Sequence, residues 1–261
     1  METMKTQITI LLLFIGMTSF AQNIYIAHRG ASYLAPENTL ASAKLAWERG
    51  ADAVECDVYL TKDNRVMVIH DKDTKRTCSG KKNLSITDSP SLLLRDLDAG
   101  SWKDKKYKGE KIPYLSELIE TVPAGKTLVV EIKSKSDILP HLKRVVDESG
   151  KTDQIVFIAF DWNTIVKTKK TFPGNKCYWL SSSKSAAKRK MAEVAAAGLE
   201  GVDLSHGIID SEIMALAKEH NLEVLAWTVD DPAETKRLND LGVTRITTNR
   251  PKWLKELLAS M

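Results

Sequence analysis

From residue 22 onward the sequence alternates short β-rich runs with amphipathic helical stretches, and it does so eight times. The runs expected as strands are 24–28, 53–59, 127–133, 155–160, 177–180, 201–204, 223–228 and 244–247. Most are rich in Val, Ile and Leu without a polar alternation, the composition of strands covered on both faces. The stretches between them carry a helical period. Leu40, Ala43 and Trp47 share a face, as do Ile138, Leu142, Val145 and Val146, and Ile213, Leu216, Ala217 and His220. Gly50, Gly150, Gly198 and Gly242 mark helix ends, and Asp231-Pro232-Ala233-Glu234 has the residue types of a helix start. Eight strand–helix units within 261 residues predict an α/β fold, a (β/α)8 TIM barrel, as one domain over residues 22–261. A doubly wound open sheet is the architectural alternative.

Three segments depart from the repeat. A ninth β-rich run, 66–69, follows the second strand after only Thr61-Lys62-Asp63-Asn64-Arg65. That loop is too short for a parallel crossover, so a β-hairpin is expected. Residues from about 72 to 113 show no strong period and are expected to form a small cap insertion beside the barrel mouth, with Leu92-Leu93-Leu94 packing it onto the barrel. At the start, Lys5, an apolar run over 8–17 and small residues at Ser19 and Ala21 have the order of a secretory signal peptide, cut after Ala21. Ten apolar residues fall short of the roughly 20 that span a bilayer. Export to the periplasm or medium is therefore expected, without stable membrane insertion after cleavage; a retained anchor is the other reading of the same pattern.

Composition narrows the function classes. With 43% hydrophobic and 28% charged residues the chain is neither disordered nor fibrous. The net charge of +4 is spread along the sequence and gives no nucleic-acid signal. Cys56, Cys78 and Cys177 are odd in number and lack CxxC spacing; Cys56 and Cys177 fall in strands and are expected as buried free thiols, with a Cys56–Cys177 bridge left open.

The chemistry-bearing strand is Ala53-Val54-Glu55-Cys56-Asp57-Val58-Tyr59. Side chains alternate along a strand, so Glu55 and Asp57 share the face opposite Val54, Cys56 and Val58. If the apolar set meets the helices, both acids point into the barrel. Glu131 and Lys133 share a face in the same way. Three inward carboxylates, with no thiolate ligands, suit a hard divalent cation, Mg²⁺ or Ca²⁺; ion pairing to Arg29 or Lys133 without a metal is the alternative. His28 and His70 end strands, at the barrel end where catalytic groups collect. Two imidazoles can exchange protons near neutrality, and Arg29 offers a planar cation for phosphate. Together these groups suggest attack at phosphorus.

In order along the chain stand His28-Arg29-Gly30, Pro36-Glu37-Asn38-Thr39, Glu55-Cys56-Asp57-Val58, His70-Asp71, Leu97-Asp98-Ala99-Gly100-Ser101-Trp102, Ile112-Pro113-Tyr114-Leu115, Glu131-Ile132-Lys133, Trp227-Thr228-Val229 and Ile246-Thr247-Thr248-Asn249-Arg250-Pro251. The ordered set resembles the glycerophosphodiester phosphodiesterase family. The resemblance implies a metal-dependent hydrolysis of small-molecule glycerophosphodiesters to an alcohol and glycerol 3-phosphate. It implies Glu55, Asp57 and Glu131 as metal ligands, His28 and His70 as the acid/base pair, and Arg29 and Lys133 on the phosphate. Asn38 would support this shell and Trp227 would pack against the glycerol. It also implies a neighbouring glycerol hydroxyl as internal nucleophile, through a cyclic phosphate that water opens. Two positions depart from the family's habit: Asp63-Asn64 in the hairpin turn instead of Asp-Gly, and Asn249 where Asp is common. A phospholipase D-like or phosphatidylinositol-cleaving lyase on the same barrel, and a non-catalytic phosphodiester binder, are the competing readings.

Overall fold

The computed structural model describes residues 23–80 and 83–260; the expected leader, residues 1–21, lies outside them. The strands are β1 (Ile24–Ala27), β2 (Ala53–Leu60), β3 (Val66–Val68), β4 (Thr127–Ile132), β5 (Ile155–Ala159), β6 (Cys177–Ser181), β7 (Gly201–Ser205), β8 (Glu223–Trp227) and β9 (Arg245–Thr248). All except β3 pair in parallel, and β1 pairs with both β9 and β2. The ring is thereby closed, which settles the choice between barrel and open sheet in favour of the (β/α)8 TIM barrel.

Alternation explains how these strands serve two cores at once. Val54, Cys56, Val58 and Leu60 of β2, with Leu128, Val130 and Ile132 of β4, face outward into a large apolar layer. The helices covering it are α1 (Leu40–Glu48), α3 (Leu115–Glu120), α4 (Leu139–Glu148), α5 (Trp162–Thr171), α6 (Lys184–Ala196), α7 (Ser211–Glu219), α8 (Pro232–Asp240) and α9 (Pro251–Ala259). Their buried positions follow the sequence period: Leu142 and Val146 in α4, Ile213 and Ala217 in α7. The opposite strand face holds a smaller plug of Ile26, Ala53, Val129, Ile158, Tyr178, Leu180 and Leu225. Cys56 and Cys177 are buried free thiols, and no bridge joins them.

β3 runs antiparallel to β2, with Val58 opposite Val68 and Leu60 opposite Val66. Asn64 takes φ +60° in the connecting turn, a conformation Asn tolerates well. Between β3 and α3 the chain forms the insertion, which contains α2 (Ser91–Arg95). It has its own apolar centre of Met67, Ile69, Ile86, Leu94, Ala99 and Ile112. The expectation for Leu92-Leu93-Leu94 needs correction. Only Leu94 is buried, and it packs inside the insertion; Leu92 and Leu93 stand in solvent, 72% and 51% exposed. A helix of five residues has one buried face, too narrow for three consecutive leucines. The insertion is tied to the β1–α1 loop by Lys103 Nζ donating to the Ser32 carbonyl (2.8 Å) and by Tyr107 Oη donating to the Leu34 carbonyl (3.2 Å).

Candidate active site

At the C-terminal strand ends a cavity of about 110 Å³ is lined by His28, Arg29, Glu55, His70, Glu131, Lys133, Asp203 and Trp227, among others. Glu55, Asp57 and Glu131 each offer an oxygen, and these oxygens lie within 4.8 Å of one another. The strand alternation accounts for this convergence, since β2 and β4 are neighbours in register with Asp57 opposite Glu131. All the sequence-predicted residues except Asn38 and Asp57 line this cavity directly, and these two stand immediately behind it.

Cations hold the acids from one side. Lys133 Nζ donates to Glu131 Oε1 (2.8 Å) and lies 3.6 Å from Asp57 Oδ1. Arg29 Nε is 3.3 Å from Asp57 Oδ2, within ion-pair range, but is not aligned for a hydrogen bond. Asn38 grips Asp57 twice: Nδ2 donates to Asp57 Oδ2 (2.8 Å), and the Asp57 amide donates to Asn38 Oδ1 (3.2 Å). The turn after β1 aims the backbone as well. Arg29 at φ +56° and Gly30 at φ +79° point the Arg29 amide at Glu55 Oε2 (2.9 Å). A Cβ at Gly30 would strike the Ser42 backbone at 2.7 Å, so no other residue fits there.

The two cations are too few for three acids. Burial alone would raise the Asp57 carboxyl, but Arg29, Lys133, His70 and Asn38 bring it below its ordinary value. Burial, reinforced by the charges of Asp57 and Glu131, pushes Glu55 well up. Burial and the Asp57 charge raise Glu131 to about 7, against the pull of Lys133. Asp57 Oδ1 is buried with no hydrogen-bond donor. Such a set has the oxygen donors, the surplus of negative charge and the unpartnered ligand atom that a hard divalent cation requires.

Both histidines are oriented from behind. His28 Nδ1 sits 2.9 Å from Asn249 Oδ1. The Asn249 Nδ2 is committed to Asp230 Oδ2 (2.6 Å), so the amide oxygen must accept from His28. His28 therefore carries its neutral-state proton on Nδ1 and turns the Nε2 lone pair to the cavity. Burial, with Arg29 adding to it, lowers the His28 pKa. His70 Nδ1 meets Asp71 Oδ1 at 2.7 Å. Arg76 from the insertion forks onto both Asp71 (2.7 and 3.0 Å) and Glu37 (2.7 and 2.7 Å), and Glu37 in turn accepts from Arg29 (2.8 Å).

Trp227 stands in the opposite wall, edge-on to Phe160 with ring centroids 5.5 Å apart, and its Nε1 donates to the Asp203 carbonyl (3.1 Å). Residues that sequence reasoning missed are Asn249 and Asp230 behind His28, Glu37 and Arg76 as the clamp, and Asp203. The signal for Asp203 was present: it is an acid in the middle of Gly-Val-Asp-Leu-Ser, on the inward register, as are Glu55 and Asp57. A larger cavity, about 500 Å³, opens at the other end of the barrel. Its main charges are paired with one another: Glu223 with Lys176 and Arg245, Asp52 with Lys126 and Lys255. The chemistry therefore belongs to the smaller one.

The sequence matches the model of the glycerophosphoryl diester phosphodiesterase family over residues 28–253. A glycerophosphodiester phosphodiesterase of Caldanaerobacter subterraneus subsp. tengcongensis is 32% identical over 91% of this chain and 98% of its own. The structure of an Oleispira antarctica phosphodiesterase in complex with the product sn-glycerol-3-phosphate superposes with a TM-score of 0.84 at 29% identity, covering 91% of this chain and 97% of that one. A glycerophosphodiester phosphodiesterase of Thermotoga maritima gives 0.74 at 25% identity, over 91% and 99%. With a barrel of that kind, an acidic cluster at its mouth and a family match spanning nearly all the described residues, the chain belongs to the glycerophosphoryl diester phosphodiesterase family and is a phosphodiester-hydrolysing enzyme.

Proposed function

We propose that this enzyme cleaves glycerophosphodiesters to an alcohol and glycerol 3-phosphate, with a divalent cation held by Glu55, Asp57 and Glu131 and with His28 and His70 as proton carriers. The convergence of those three carboxylates beside two back-anchored histidines carries this reading. The cation, Mg²⁺ or Ca²⁺, would supply charge neutralisation for the phosphoryl oxygens. Arg29 and Lys133 face the same centre and bind the phosphate. His28, kept neutral with Nε2 toward the cavity, takes the proton of the neighbouring glycerol hydroxyl as that oxygen attacks phosphorus. His70, whose Nδ1–H is fixed by Asp71, gives a proton from Nε2 to the departing alcohol oxygen. Water then opens the cyclic phosphate with the two roles exchanged, and both histidines return to their starting states.

The test is turnover of glycerophosphocholine with Mg²⁺ or Ca²⁺, with and without chelator. His28→Ala and His70→Ala should each lower kcat on the order of 10²–10⁴-fold. Full activity in either variant, or in chelator, would sink the corresponding assignment. The exposed Leu92 and Leu93 of the insertion are an apolar pair that a lipid-cleaving reading would use; comparison of a lysophospholipid with its deacylated form decides it. Export after cleavage at Ala21 belongs to the same proposal and is read from the N-terminus of the protein recovered outside the cytoplasm.

A further inference from the structure

Among the described residues, Asp203 is the one acid lining the active-site cavity that neither the carboxylate cluster nor the histidines use. It lies in β7 between Val202 and Leu204, both of which face the outer apolar layer, so its side chain points into the barrel. There it is 2% exposed, and its Oδ1 is buried without any hydrogen-bond partner. Its neighbours across the sheet register are Leu180 and Leu225, and Phe160, Ile158 and Trp227 complete the apolar wall of the cavity around it. A partnerless carboxyl in such a wall costs the fold stability. Burial, with the charge of Glu131 adding to it, holds this carboxyl well above the usual carboxylate range. An alcohol hydroxyl, which sits well in an apolar surround and offers a donor and an acceptor at one atom, satisfies such a carboxyl.

We infer that Asp203 is a specificity residue that hydrogen-bonds the free terminal hydroxyl of the substrate's glycerol moiety, the one that neither attacks phosphorus nor carries it. Arg29, Lys133 and the cation that the carboxylate cluster would hold take the phosphate from the polar wall, so the glycerol carbons lie against Trp227 and Phe160 and their remaining hydroxyl reaches the floor at Asp203. This inference rests on the proposed glycerophosphodiester cleavage and adds a selection rule: a diester whose terminal hydroxyl is absent or acylated leaves Asp203 unpaired and is disfavoured.

The experiment compares glycerophosphocholine with 2-hydroxypropyl phosphocholine, which keeps the attacking hydroxyl and lacks the terminal one. The wild-type enzyme should favour the glycerol compound in kcat/KM by about 10- to 100-fold, the range of one buried hydrogen bond. Asp203→Leu should lose that preference, falling on glycerophosphocholine and changing less than about threefold on the deoxy compound, while its Tm equals or exceeds that of the wild type. Asp203→Asn, nearly isosteric, should retain part of the preference and guards against a Leu variant that fails to fold. Equal losses on both compounds with a lowered Tm would make Asp203 structural, and an unchanged preference would remove it from the substrate; either overturns the inference. Failure of the wild type to cleave either compound would instead overturn the functional reading beneath it.

Discussion

Asn249 shows how much one side chain's wiring can matter. At the position where the family often carries Asp, this chain keeps a neutral amide and places the negative charge one step back, on Asp230, which accepts from the Asn249 Nδ2 and backbone amide and from Thr248 Oγ1. The amide still accepts from His28 and fixes its tautomer, while burial and then Arg29 lower the His28 pKa against the pull of that contact. Asn249→Leu is therefore expected to lower kcat by about 10- to 100-fold with little change in KM, the scale of losing a histidine's orienting partner; steady-state kinetics on glycerophosphocholine checks it. Arg76 does comparable work from the insertion. Its two forks reach His70 through Asp71 and Arg29 through Glu37, so the cap is wired to both walls of the polar half of the site.

At the scale of elements, ends and crossings decide stability. Asp161 caps α5, accepting from the Thr164 amide (2.9 Å), and pairs with Lys135. The Lys135 contact first, then Thr164, lowers its pKa to about 2. A carboxyl lowered on folding stabilises above its ordinary pKa near 4 and loses that contribution as pH falls toward 2. Asp161→Ala should cost about 1 kcal/mol at neutral pH and flatten the acid limb of a Tm-against-pH curve. Gly201, which opens β7, has a different role. A Cβ there would lie 1.9 Å from the Glu223 carbonyl oxygen, so β7 and β8 could not keep their register. Gly201→Ala should destabilise by about 1–3 kcal/mol in urea titration. The same alternation that sends Val202 and Leu204 outward makes Gly201, Asp203 and Ser205 inward residues.

For the whole molecule, closure of the barrel brings residues far apart in sequence to one mouth: His28 just after β1, Glu55 and Asp57 from β2, Glu131 from β4, Trp227 from β8 and Asn249 just after β9. Crowding three carboxylates there is unfavourable until a cation joins them. Binding of the proposed cation would therefore be linked to folding. At a metal concentration about 100-fold above Kd the gain is about 2.7 kcal/mol, a rise in Tm on the order of 5–10 °C for a chain of this size. Differential scanning calorimetry after chelation should show it on adding Mg²⁺ or Ca²⁺, and Glu131→Gln should abolish most of it. A Tm unmoved by either ion would remove the cation from this site.

The strand and helix alternation, the hairpin after β2 and the inward register of Glu55, Asp57 and Glu131 were legible in the sequence, because periodicity and side-chain alternation are local properties of the chain. Strand ends were overrun by a residue at His28, Lys133, Phe160 and Thr228, since the chain leaves the ladder where the loops turn into the mouth. The ordered motifs carried the family in the same way, as short segments each readable by itself. Closure of the ring, the free state of Cys56 and Cys177, the exposure of Leu92 and Leu93, and the reach of Arg76 across the mouth were decided by tertiary structure. So were the long-range partners of the functional groups: Asn249 behind His28 lies 221 residues away, and Arg76 lies 39 residues from Glu37. Local pattern sets which face a side chain presents, whereas the residue it meets there depends on how the whole barrel closes.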